Sequence, residues 1–255
     1  MSWGKARFGR RRIVTGLILA TLTASAAPSA QAVSKPPCRP VAFETQRFTV
    51  CQADPAATQF RLFLSRADGS AYETLDALPQ DGLLFATNAG MFTPDHAPAG
   101  LYVEGGVEMR ALNTRSAGYG NFHLQPNGVF WMKDGKAHVS TTADYQRLGP
   151  APDLASQSGP MLVIGGQLHP KFEANGSSRY IRNGIGVGAD GRVRIAISEE
   201  PVSFGVFARL FRDALDCPDA LYFDGSVSRL SVAGERRTTA GPRLGPLLGV
   251  YAKAR

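Results

Sequence analysis

Short apolar runs separated by turn residues dominate the chain, and one stretch keeps a helical period. Phe48–Cys51 and Gln59–Ser65 alternate as strands, with Asp54-Pro55 as the turn between them. Tyr72–Leu78 reads as a short helix stopped by Pro79. Leu83–Thr87 and Leu101–Val103 are the next strands, the second closed by Glu104-Gly105-Gly106. Val129–Lys133 and His138–Thr141 flank Asp134-Gly135, a strong hairpin signal. Residues 143–152 read as a linker, and Met161–Ile164 as a strand closed by Gly165-Gly166. Arg182–Gly188 and Val193–Ile197 form a further pair across Asp190-Gly191. Helical spacing is convincing over Ser203–Asp216, where Phe207, Leu210, Phe211 and Leu215 make one apolar stripe behind a Ser203 cap. Leu221–Phe223 is a buried strand, and Leu247–Ala252 closes the chain.

Many short strands in mostly hairpin order, with few helices, predict an α+β single domain built on a mixed, mostly antiparallel sheet. The spacing Gly184-x-Gly186-x-Gly188 lacks the following helix of a dinucleotide fingerprint, so that reading is rejected.

Charge changes the picture only after the first thirty-two residues are set aside. Lys5, Arg7, Arg10, Arg11 and Arg12 precede an apolar run, and Ala30-Gln31-Ala32 fits a cleavage site. This is the layout of an export signal, compatible with twin-arginine or general secretory export, and predicts a periplasmic or secreted protein. The whole chain has 28 Lys+Arg against 21 Asp+Glu. Without the five basic residues of the signal, 23 face 21, a net of +2. A global footprint for nucleic acid or a membrane surface is therefore not expected. Cys38 and Cys51 are close enough in sequence to be bridged in an oxidising compartment, leaving Cys217 as a buried lone thiol. No Cys/His spacing suits zinc, and no metal or cofactor is called for.

The most informative stretch is Ala220–Arg229, ALYFDGSVSR. A buried strand delivers Asp224 to a turn, where Gly225, Ser226, Ser228 and Arg229 follow. An acid, hydroxyls and a cation at one strand end suit a polar, anionic ligand; the same residues also suit a plain Asp-Gly hairpin corner.

NAGMF (88–92), PNGVF (126–130), QSGPML (157–162), RNGIGVGADG (182–191) and ALYFDGSVS (220–228) occur in this order. Together they resemble the phosphodiester glycosidase domain family. The resemblance covers most of the chain from about Leu83 onward; residues 33–82 read as N-terminal strands that are part of the same domain. It implies hydrolysis of the bond between a sugar's anomeric carbon and a phosphodiester oxygen. Position by position it points to Asn88, to Ser158-Gly159, to Arg182 and to Asp224. Two departures stand out. The family reads Arg-Thr where this chain has Arg182-Asn183, and D-G-G-G-S where it has Asp224-Gly225-Ser226-Val227-Ser228. Side chains in place of two glycines stiffen that turn.

The chemistry assigns roles. A carboxylate at Asp224 offsets positive charge on the sugar as the anomeric C–O bond breaks. Arg182 grips the phosphate with its planar fork. Backbone N–H groups around Gly225 and Ser226 form a nest, and Asn88, Ser158, Asn183, Ser226 and Ser228 contact sugar or phosphate oxygens. Glu104, Glu199 and Glu200 are candidates for a second carboxylate. The alternative reading is a non-catalytic module that binds phosphorylated glycans of the cell envelope.

Overall fold

The structure is a computed structural model that describes residues 1–5, 37–234 and 241–253. The export signal expected over residues 1–32 lies outside the described residues, apart from its first five.

Strands β1 (Cys38–Phe43) and β2 (Gln46–Ala53) form a hairpin stapled by a Cys38–Cys51 disulfide. Strands β3 (Thr58–Phe63) and β4 (Leu83–Asn88) follow. Between them the helix expected over 72–78 shrinks to one 3-10 turn, Leu75–Ala77. Leu78 is forced extended, as a residue before proline tends to be. Strands β5 (Tyr102–Glu104) and β6 (Val107–Arg110) turn on Gly105-Gly106, while β7 (Gly128–Lys133) and β8 (Lys136–Thr141) turn on Asp134-Gly135 as expected.

The linker expected over 143–152 is largely a helix, α1 (Thr142–Leu148). The Thr141 hydroxyl accepts from the Asp144 N–H, and Gly149 closes the helix in the left-handed region. Strands β9 (Leu154–Ser158), β10 (Met161–Ile164), β11 (Gln167–Leu168), β12 (Asn183–Val187) and β13 (Val193–Ser198) come next. The predicted helix begins as α2 (Phe204–Arg209), capped by the Ser203 hydroxyl, and widens into a π turn at Leu210–Ala214. Strands β14 (Asp219–Asp224), β15 (Leu230–Val232) and β16 (Leu247–Ala252) complete the described chain.

Three antiparallel sheets share the core. Seven strands run β1-β2-β13-β12-β14-β10-β11, four run β15-β4-β16-β3, and five run β6-β5-β9-β7-β8. Side chains from all three meet in one buried cluster, including Ile185, Leu221 and Phe223, Phe85 and Leu248, and Tyr102 and Phe130. The other face of the seven-stranded sheet is covered by α2 and its π turn through Phe207 and Phe211, which pack on Phe48, Leu162 and Tyr222. Burying each such ring contributes about 1.5–3 kcal/mol. The glycines of β12 serve this packing: a Cβ at Gly186 would lie 2.8 Å from both Cys217 Sγ and the Phe211 ring. Cys217 is buried there, and burial pushes its thiol up to about 12. Along β14 the two-residue period sends Leu221 and Phe223 to the central core, and Ala220 and Tyr222 to the helix side. A register shift against β12 interrupts this alternation between Tyr222 and Asp224.

Candidate active site

Each sheet brings a strand end to one junction. Asn88 ends β4, Ser158 ends β9, Asn183 begins β12 and Asp224 ends β14. Asn183 lies opposite Asp224 in the ladder. Side chains pin the three sheets together. Asn183 Nδ2 donates to Asn88 Oδ1 at 2.8 Å and to Thr87 Oγ1 at 2.9 Å, and Asn88 Oδ1 also accepts from the Arg229 N–H at 2.9 Å. Ser158 Oγ donates to the Phe223 carbonyl at 3.2 Å, and Ser156 Oγ donates to the Ala89 carbonyl. Asn88, Asn183 and Ser158 are fully buried. Buried amides cost free energy unless paired, and these pair with each other across sheets. Gly159 is buried beside them, where a Cβ would lie 2.5 Å from Asn127 Cβ.

Asp224 stands at the rim of that junction, 8% exposed. Its Oδ1 accepts from the Ser226 N–H at 2.5 Å and the Val227 N–H at 3.0 Å. The residue is therefore a turn corner, as an Asp-Gly pair predicts. Its Oδ2 accepts no hydrogen bond from the described residues. Ser228 Oγ closes the loop, donating at 2.9 Å toward the carbonyls of Asp224 and Ile181. Ser226 is exposed, and Gly225 is half-buried against the Tyr222 hydroxyl. A Cβ at Gly225 would lie 2.1 Å from Tyr222 Oη, so only glycine fits.

Arg182 is placed differently from a surface clamp. It is 0% exposed, and its guanidinium carbon lies 3.6 Å from the centre of the Phe204 ring. Nε donates to the Val202 carbonyl at 2.9 Å, one terminal nitrogen to Tyr222 Oη at 3.0 Å, and the other to the Ser178 carbonyl at 2.9 Å. No carboxylate pairs with it among the described residues. Burial lowers its pKa and raises that of the Tyr222 phenol. Tyr222 thus stands between Arg182 and the Asp224 turn, a link that no sequence motif announces.

The three candidate second acids fall in different places. Glu104 accepts from the Tyr102 hydroxyl at 2.8 Å, and burial raises its pKa. Glu200 pairs with Arg47 at 3.2 Å on the surface. Glu199 accepts from the Thr49 hydroxyl and lines a hollow of about 310 Å³ with Ser198, Ser228 and Arg229. That hollow lies against the loop that follows Asp224. Among the described residues no three His, Cys, Asp or Glu side chains gather to hold a metal ion, and no helix is long and apolar enough to cross a membrane.

The family model for phosphodiester glycosidases matches residues 81–246. The chain belongs to the phosphodiester glycosidase family. Protein YigE of Escherichia coli K12 is 32% identical over 236 residues, which span 91% of this chain and 89% of that one. The catalytic domain of zebrafish N-acetylglucosamine-1-phosphodiester alpha-N-acetylglucosaminidase, auto-inhibited by its pro-peptide, shares the fold. It superposes with a TM-score of 0.58 at 11% identity, over 85% of this chain and 82% of that one. An exported protein of Burkholderia pseudomallei gives a TM-score of 0.56 at 12% identity, over 81% and 74%. The phosphodiester glycosidase match begins just before β4 and ends just before β16, so it takes in every strand end of the junction.

Proposed function

We propose that the protein is an exported hydrolase that cleaves the glycosidic bond of a sugar-1-phosphodiester. The observation that carries the reading is the Asp224 carboxylate. One oxygen is held by the turn and the other accepts no hydrogen bond from the described residues, at a strand end where three sheets meet within the family-matched region. In this reading Oδ2 faces the anomeric carbon. As the anomeric C–O bond breaks, its electron pair leaves with the phosphate oxygen and the carboxylate offsets the charge left on the sugar. Water supplies a hydroxyl to the anomeric carbon, and its proton goes to the departing phosphate. Arg182 acts from behind: it fixes Tyr222, which shapes the Gly225 turn, and its charge favours the phosphate through a dry wall. Asn88, Asn183, Ser158 and Gly159 hold the sheets in register so that the turn is preorganised; Ser226 and Ser228 flank the carboxylate.

Export is supported by the basic and apolar start of the chain, by the Cys38–Cys51 bridge, which persists in oxidising compartments, and by the exported relative. The test is release of free sugar from an activated sugar-1-phosphodiester by the mature protein. Loss of release in a folded Asp224→Asn variant supports the assignment, and full retention removes it. Binding without release in the wild type returns the glycan-binding alternative.

A further inference from the structure

The Arg182 guanidinium is a full charge inside the protein, answered among the described residues by carbonyls, two hydroxyls and aromatic faces. A buried charge without a counter-ion is costly, and a site that retains one is suited to an anion that arrives later. Its surroundings show where such an anion would sit. A cavity of about 240 Å³ opens on the helix side of the seven-stranded sheet, lined by Lys171, Glu173, Ser177, Ser178 and Phe204. Two of these touch Arg182 directly: Phe204 carries the guanidinium on its ring, and Ser178 accepts from it through both its carbonyl and, at 3.4 Å, its hydroxyl. The cavity therefore lies one side chain away from the buried charge.

Its outer wall is built rather than incidental. Arg209 donates to the Ala174 carbonyl at 2.9 Å, and Gly205 lets the 173–174 backbone pack so close that a Cβ would lie 2.3 Å from the Glu173 carbonyl. Phe172 stacks on Phe204 at 4.8 Å, and buried His169 stacks on Phe172 at 4.6 Å. The charges at the cavity are Lys171, Glu173 and Arg182 behind it, a net of one positive. That matches the single negative charge of a phosphodiester. The Glu173 carboxylate folds back on its own loop, 3.6 Å from where a Gly176 Cβ would be.

We infer that this cavity is a subsite for the phosphodiester arm of the substrate, with Lys171, Ser177 and Ser178 as its contact residues and Arg182 as the charge beneath it. The inference rests on the glycosidase reading only for the identity of the sugar end. Tyr222 Oη lies against both the Arg182 guanidinium and the Gly225 turn that follows Asp224, so one molecule can place its sugar at the carboxylate and its phosphate here.

Titration of the mature protein with dimethyl phosphate, followed by calorimetry and by amide chemical shifts, tests it. The wild type is expected to bind, with shifts at 171–178. Lys171→Ala is expected to weaken binding roughly tenfold, and Lys171→Glu to abolish it. With the substrate, Lys171→Ala raises KM for the phosphodiester and leaves KM for a neutral aryl glycoside of the same sugar unchanged. No binding by the wild type, or unchanged affinity in a folded Lys171→Glu variant, overturns the subsite. The two readings fail separately. Asp224→Asn that keeps releasing sugar while dimethyl phosphate still binds sinks the catalytic role and leaves the subsite. Asp224→Asn that is inactive while Lys171→Glu binds normally does the reverse.

Discussion

The two ends of helix α2 each hold an arginine, and they are answered in opposite ways. At its end, Arg209 forks onto Glu44, with bonds of 2.7 and 3.0 Å, and donates its third nitrogen to the Ala174 carbonyl. The pair is self-sufficient, and the Glu44 hydrogen bond raises the arginine pKa. At its start, Arg182 is stacked on Phe204, deeper in the protein, and among the described residues it meets only neutral partners. There burial lowers the pKa instead. A charge that folding has neutralised is scaffold. A charge kept buried and unneutralised must be held there by the surrounding packing, and its field remains available to a ligand.

The largest expected effect lies on the uncompensated side. Asp224→Asn preserves shape and the turn acceptor while removing the charge, and it should cut sugar release about a hundredfold to ten-thousandfold with little change in melting temperature. Steady-state rates with an activated phosphodiester, beside a thermal melt, check both halves. Next in size is a paired substitution of the two arginines. Arg182→Met strands the carbonyls of Val202 and Ser178 and should cost at least about 2 kcal/mol together with activity. Arg209→Met should cost about 1 kcal/mol and lower activity less than Arg182→Met does, since it loses the Ala174 donor of the cavity wall but keeps the buried charge. Equal losses from urea unfolding of the two variants would erase the contrast.

Much of this end of the molecule was legible as strand ends and as candidate site residues, but not as a spatial arrangement. The apolar run into Asp224-Gly225 announced both the strand and its turn, and the Asp-Gly pairs at 134 and 190 announced hairpins that are present. Strand β9 carried no such signal. Its residues, Leu-Ala-Ser-Gln-Ser, neither alternate nor look apolar, yet all five are buried. Gln157 accepts from the N–H groups of Leu101 and Asn113, and Ser156 and Ser158 bond neighbouring sheets. Polar residues that satisfy distant backbone read locally as a loop. Helix α1 did carry a cap and a closing glycine, but it buries only Thr142 and Tyr145, too few for an apolar stripe. Arg182 was legible as important and not as buried. Its wall comes from Ser178, Val202, Phe204 and Tyr222, and the Asn88–Asn183 pair joins residues 95 apart in the chain. No local pattern encodes such a register.

Protonation sharpens the contrast at smaller scale. His169 is buried behind Phe172, near the uncompensated charge, and burial lowers its pKa from the usual 6.5. The unfolded chain therefore binds this proton more readily than the folded one. Stability from this group is present above about pH 6.5 and is lost as pH falls through the lower folded value, with a slope of at most about 1.4 kcal/mol per pH unit. Melting temperatures between pH 4 and 8 should show His169→Gln flattening that limb. An unchanged limb would mean that the wall beside Arg182 is wet enough to accept a second charge.

The smallest effect belongs to the far end of the helix. Glu44→Gln removes the partner of Arg209, whose side chain is largely buried while that of Glu44 is about a third exposed. Water can take over part of the guanidinium hydration, so the loss should stay under about 1 kcal/mol. The Ala174 carbonyl keeps its donor, which holds the 173–174 wall in place. Affinity for dimethyl phosphate should then be unchanged in Glu44→Gln while Lys171→Ala weakens it. A matching loss of affinity in Glu44→Gln would show that the two arginines are coupled through α2, and the division into scaffold charge and ligand charge would have to be given up.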